Sequence, residues 1–110
     1  MKIDRKDISA ELECEYCPEE WFFYFGPTEC ANRIAYMRLR SGTLELYPCT
    51  WSTIQFEHPI YRHKFWKSLR PDKWKGQFDD YKEREKYINK CIGKIVRWHN
   101  KEHKTVKEPI

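Results

Sequence analysis

Arg33-Ile34-Ala35-Tyr36-Met37-Arg38-Leu39-Arg40-Ser41-Gly42-Thr43-Leu44-Glu45-Leu46-Tyr47 is the stretch on which the fold turns, because two incompatible readings fit it. In one, Thr28 is a helix N-cap with Glu29 in the first turn. Cys30, Ala31, Ile34, Ala35 and Met37 or Arg38 then follow at helical spacing, and Ser41-Gly42 stops the helix. In the other, 33–40 is a strand that turns at Ser41-Gly42 into a second strand, Thr43–Tyr47. The helix accounts better for the apolar stripe, so periodicity predicts a helix over 28–41. Under either reading Thr43–Tyr47 alternates cleanly and is a strand ending at Pro48.

On the N-terminal side lies Trp21-Phe22-Phe23-Tyr24-Phe25, wholly aromatic and closed by Gly26-Pro27, which reads as a buried strand. The dozen residues at the start, 1–12, are polar and predict a mobile or loosely docked lead-in. On the C-terminal side Thr53-Ile54-Gln55-Phe56-Glu57 alternates again and predicts a strand that ends before Pro59. Tyr61, Phe65 and Leu69 stand four apart after Pro59, which suits a first helical turn. A short helix over 59–69, broken at Arg70-Pro71, follows from that spacing. Tyr81, Ile88, Cys91, Ile92, Ile95 and His99 mark one face of a long helix over about 79–103, with Lys and Glu on the other. Gly93 weakens its middle by about 1 kcal/mol relative to Ala. The expected fold is α+β: about three strands packed against one short helix and one long C-terminal helix, in a single domain over 1–110.

Composition supports a folded chain. Charged residues reach 35%, but five Trp, seven Tyr and six Phe supply the area a compact core needs. No apolar run approaches the roughly 18 residues of a membrane span, and the N-terminus lacks the apolar stretch of a secretory signal. An intracellular, cytoplasmic location follows as an expectation, with thiols reduced. The odd count of five Cys excludes a complete disulfide framework. The net charge of +4 is unevenly spread: residues 1–30 carry −5, residues 31–57 +1 and residues 58–110 +8. Such polarity implies either one acidic and one basic face or a fold that brings the two signs together.

Cys14-Glu15-Tyr16-Cys17 has the spacing by which two thiolates grip one metal ion. A zinc ion there needs two further ligands, for which Cys30, Cys49, His58, His63, His99 and His103 are the candidates. A second C-x2-C and the usual turn glycines are missing. Free Cys also serves as a small buried hydrophobe, the expected role of Cys30 and Cys91.

The most suggestive segment runs from Tyr61 to Gly76. Arg62, Lys64, Lys67, Arg70, Lys73 and Lys75 stand against one acid, Asp72, interleaved with Tyr61, Phe65, Trp66 and Trp74. Arg, Trp and Tyr dominate protein-interface hot spots, and a basic surface steers towards an acidic partner. The same residue types neutralise phosphates and stack on unpaired bases. No Gly-rich phosphate loop, G-x-S-x-G or H-E-x-x-H is present, and no Cys–His spacing singles out a nucleophile and its base. The sequence therefore predicts a non-enzymatic binding module: an accessory, regulatory or inhibitory protein docking on a larger assembly. Its contact residues are Arg62, Lys64, Trp66, Lys67, Arg70, Lys73, Trp74 and Lys75. The alternative is a binder of single-stranded DNA or RNA that uses the same residues, with a structural zinc at Cys14 and Cys17.

Overall fold

The computed structural model describes residues 2–15, 18–65, 78 and 80–106. It is α+β: five antiparallel strands in sequence order, with one long helix packed on one face. The strands are β1 (Ile8–Cys14), β2 (Glu19–Phe25), β3 (Arg33–Arg40), β4 (Thr43–Pro48) and β5 (Tyr61–Lys64), and the helix, α1, is Tyr81–Val106.

The decisive stretch is a hairpin. β3 and β4 pair from Arg40↔Thr43 to Ala35↔Pro48, and the helix expected over 28–41 is replaced by a 3-10 turn, Cys30–Asn32, leading into β3. Ser41 and Gly42 have φ of 52° and 76°, the left-handed pair that a two-residue hairpin turn requires. Alternation explains why the strand wins. Ala35, Met37 and Leu39 are fully buried on one face, whereas a helix would place the apolar Met37 among arginines.

Two further elements differ from expectation for related reasons. The short helix over 59–69 is absent from its described part, where Tyr61–Lys64 forms β5 and Phe65 follows it into the core. Residues four apart share a face in a strand as well as in a helix, so the spacing of Tyr61 and Phe65 could not discriminate. The strand expected over 53–57 is a loop with one bridge, Cys49↔Ile54. β5 occupies the edge of β4 from Thr43↔Lys64 to Leu46↔Tyr61, leaving 53–57 only its end, where the Gln55 N–H donates to the Pro48 carbonyl at 2.9 Å.

The polar N-terminus is docked on the helix. Ile3 is 2% exposed, and its backbone N–H and C=O both bond the Asn100 side chain on α1, at 2.8 and 3.1 Å. Arg5 donates to the Asn89 carbonyl at 2.9 Å, and its guanidinium lies where a side chain at Gly93 would stand. The glycine that weakens the helix thus admits the N-terminal segment.

The core lies between sheet and helix. Phe23, Met37, Leu39, Leu44 and Leu46 meet Ile88, Cys91 and Ile95, with Ile3, Ile8, Phe65, Phe78 and Tyr87 around them. Each large side chain so buried stabilises the fold by about 1.5–3 kcal/mol. Asp80 caps the helix, its Oδ1 accepting the Glu83 N–H at 2.8 Å. Among the described residues, no helix is long and apolar enough to cross a membrane.

Candidate binding surface

The sheet face away from α1 carries three in-register rows. The first is aromatic: Phe22, Tyr36 and Tyr47 are cross-strand neighbours on β2, β3 and β4. The second is charged and alternates in sign from Glu20 through Arg38 and Glu45 to Arg62. The third, at the hairpin end, joins Arg40, Thr43 and Lys64. Period-2 alternation produces this face. The residues that intervene along each strand fill the core.

The rows bind one another tightly. Glu45, 5% exposed, accepts from Arg38 Nε at 2.7 Å and from Arg62 at 3.3 Å. Burial alone would raise its carboxyl, but hydrogen bonds from Arg38 and Tyr47 and the surrounding cations outweigh it and hold the group below its ordinary value. The Tyr36 hydroxyl donates to Glu20; burial first, then that carboxylate, pushes its pKa well up. Arg33 stacks over Phe22 at 3.8 Å. From the loop after β4, Phe56 closes on Tyr47 and Tyr36 at 5.0 and 6.3 Å, with Arg38 over its ring at 4.7 Å.

What reaches solvent is basic and aromatic. Phe56 is 46% and Trp51 66% exposed, and the Arg62 side chain is 59% exposed. Arg40 and Lys64 are also exposed, in the row next to Arg38 and Arg62. On β3–β5 this face holds Arg38, Arg40, Arg62 and Lys64 against the single carboxylate of Glu45. On β1 and β2 it holds Glu11 and Glu20. Because the strands lie side by side in sequence order, the charge gradient along the chain becomes a gradient across the sheet.

Of the eight predicted contact residues, Arg62 and Lys64 lie together on this basic edge. Trp66, Lys67, Arg70, Lys73, Trp74 and Lys75 fall outside the described residues. The residues flanking that segment, Phe65 and Phe78, both pack on Tyr87, with ring centroids 5.3 and 5.8 Å away. Sequence reasoning missed Arg38, Arg40, Trp51 and Phe56. The alternation Tyr36, Arg38, Arg40 was the available signal, hidden by the helical reading of 28–41.

For zinc, Cys14 ends β1, half-buried, and Cys17 lies outside the described residues. Among the described residues no three His, Cys, Asp or Glu side chains stand close enough to hold a metal ion. Burial pushes the Cys49 and Cys91 thiols up to about 11 and 12, so neither supplies a thiolate readily. Cys91 is a core residue, whereas Cys30 is exposed at the turn before β3. Compared with protein-family models, curated proteins and solved structures, the chain matches none.

Proposed function

We propose that this chain is a non-catalytic binding module that docks on an acidic protein surface through the basic edge of its sheet. One observation carries the reading: Arg38, which lies over the half-exposed Phe56 ring at 4.7 Å, shares one face of the sheet with Arg40, Arg62 and Lys64. Arginine and large aromatics are the residue types that anchor protein interfaces. An excess of one sign speeds encounter with a partner of the other. Arg38 and Arg62 are already held by Glu45, so little side-chain entropy remains to be lost on binding. The basic aromatic segment 66–75 continues directly from this edge in sequence and extends the same chemistry.

A second reading, binding of nucleic acid, is favoured by the helix. Lys82, Lys86, Lys90 and Lys94 recur at every fourth residue of α1, so each faces a like charge one turn away at a cost of about 0.2–0.5 kcal/mol per pair. No described carboxylate pairs with these four. Phosphates would relieve that repulsion. Lys90 and Lys94 stand over Tyr61 at 6.0 and 4.9 Å, which continues the ladder towards β5.

The test is affinity capture from lysate with and without nuclease, using the wild-type chain, Arg62→Glu/Lys64→Glu and Trp51→Ala/Phe56→Ala. A stoichiometric protein that survives nuclease and is lost with both variants supports docking. Retention that vanishes with nuclease, with a log–log salt slope of several units, supports the second reading. Capture indifferent to both variant pairs refutes the proposed surface.

A further inference from the structure

At the acidic end of the molecule, where β2 meets the start of α1, a pocket of about 130 Å³ is lined by Trp21, Tyr81, Arg84, Glu85 and Ile88. Two rings form its walls. The Trp21 indole is fixed by donating its N–H to Glu19 Oε2 at 2.7 Å. Tyr81, 72% exposed, is otherwise an unexplained aromatic in water. The volume is close to the ~150 Å³ of an apolar cavity that accepts a benzene-sized molecule.

The charges around it decide what fits. The Arg84 guanidinium is spent on Glu19, with Nε at 2.9 Å and Nη2 at 3.0 Å, and Nη2 also lies 3.6 Å from Glu15. Glu85, on the wall itself, brings the local count to three carboxylates and one guanidinium. The helix's own positive end is offset by Asp80, which caps it, and by Glu83 in its first turn. Lys82, Lys86, Lys90 and Lys94 follow a different stripe from Tyr81, Glu85 and Ile88 at helical spacing, so the basic ladder lies away from the pocket. Aromatic faces beside excess carboxylate favour a cation that also carries apolar surface. An anion meets the Glu85 carboxylate and an Arg84 already engaged by Glu19 and Glu15, and a neutral apolar molecule gains nothing from the field.

We propose that the Trp21–Tyr81 pocket binds an organic ammonium group, a quaternary ammonium or a methylated lysine side chain. It stands apart from the basic edge on the other face of the sheet, so it holds or fails independently of the docking function. The experiment follows the Trp21 indole N–H resonance, assigned with Trp21→Phe, while choline is added at constant ionic strength. Its uncharged isostere, 3,3-dimethylbutan-1-ol, is the control. Choline should shift the resonance saturably in the millimolar range, with the isostere at least ~10-fold weaker. Tyr81→Ala and Glu85→Gln, both at exposed positions and checked for an unchanged fold, should each weaken choline by about 3- to 10-fold, as expected for loss of one cation–π or charge contact. An acetylated peptide carrying trimethyllysine then distinguishes the sources. If it binds more tightly than choline, the ligand is a protein side chain, and the reverse identifies a free ammonium compound. Equal binding of choline and isostere, no saturable shift, or indifference to Tyr81→Ala overturns the proposal.

Discussion

Arg84→Met should be among the most damaging single substitutions in this protein, and Glu19→Gln much milder, although both break the same ion pair. Glu19 is 1% exposed and is held by two bonds from Arg84, at 2.9 and 3.0 Å, and one from the Trp21 indole, at 2.7 Å. Removing Arg84 strands a buried carboxylate with a single donor, which costs about 3–5 kcal/mol. That is a third or more of the stability of many domains of this size. Removing the charge from Glu19 instead leaves an amide oxygen for Trp21. It also leaves a guanidinium that is 23% exposed and 3.6 Å from Glu15, so the loss should be about 1–2 kcal/mol. With Glu19→Gln already in place, Arg84→Met should add only about 1 kcal/mol, and the double variant should therefore fall well short of the sum. Urea denaturation followed at 222 nm measures all four proteins. Equal losses from the two single substitutions, or simple additivity, would refute the claim that desolvation of Glu19 dominates.

Four smaller predictions follow from the same geometry. Ser41→Asn should stabilise the β3–β4 hairpin by a few tenths of a kcal/mol, because Asn tolerates positive φ better than Ser; the thermal midpoint reports it. Gly93→Ala should gain up to about 1 kcal/mol of helix propensity, less the displaced Arg5 contact with Asn89. A net loss in urea would mean that Arg5 is more firmly held than its exposed position implies. Glu45 has a depressed carboxyl pKa, so its contribution is present above the unfolded-state value near 4.3 and fades as pH falls through the lower folded value. Stability profiles of wild type and Glu45→Gln should accordingly converge in acid. Phe56→Ala should loosen the Tyr36–Tyr47 row by about 1 kcal/mol or less, since the ring is nearly half exposed; its effect on partner capture should be far larger.

Local chemistry alone determined several features here. The aromatic run 21–25 reads as a buried strand, Thr43–Tyr47 alternates under any reading, and one apolar face defines the long C-terminal helix. The basic character of Arg62 and Lys64 was equally legible, because charge is a property of the residue and not of its neighbours. Tertiary structure decided the rest wherever two periods fit the same letters. Residues 33–40 carry enough apolar side chains for a helix or a strand, and the choice fell to β2 and β4, which bury Ala35, Met37 and Leu39 from both sides. Tyr61 and Phe65 share a face in either state, so β5 exists because β4 offered it an edge. Thr53–Glu57 met only the short end of the same edge and made one bridge there. The candidate surface was half hidden for this reason. Arg62 could be read from sequence, but Arg38, Arg40 and Phe56 join it only after the hairpin folds, because side-chain facing follows from a backbone state that long-range pairing selects.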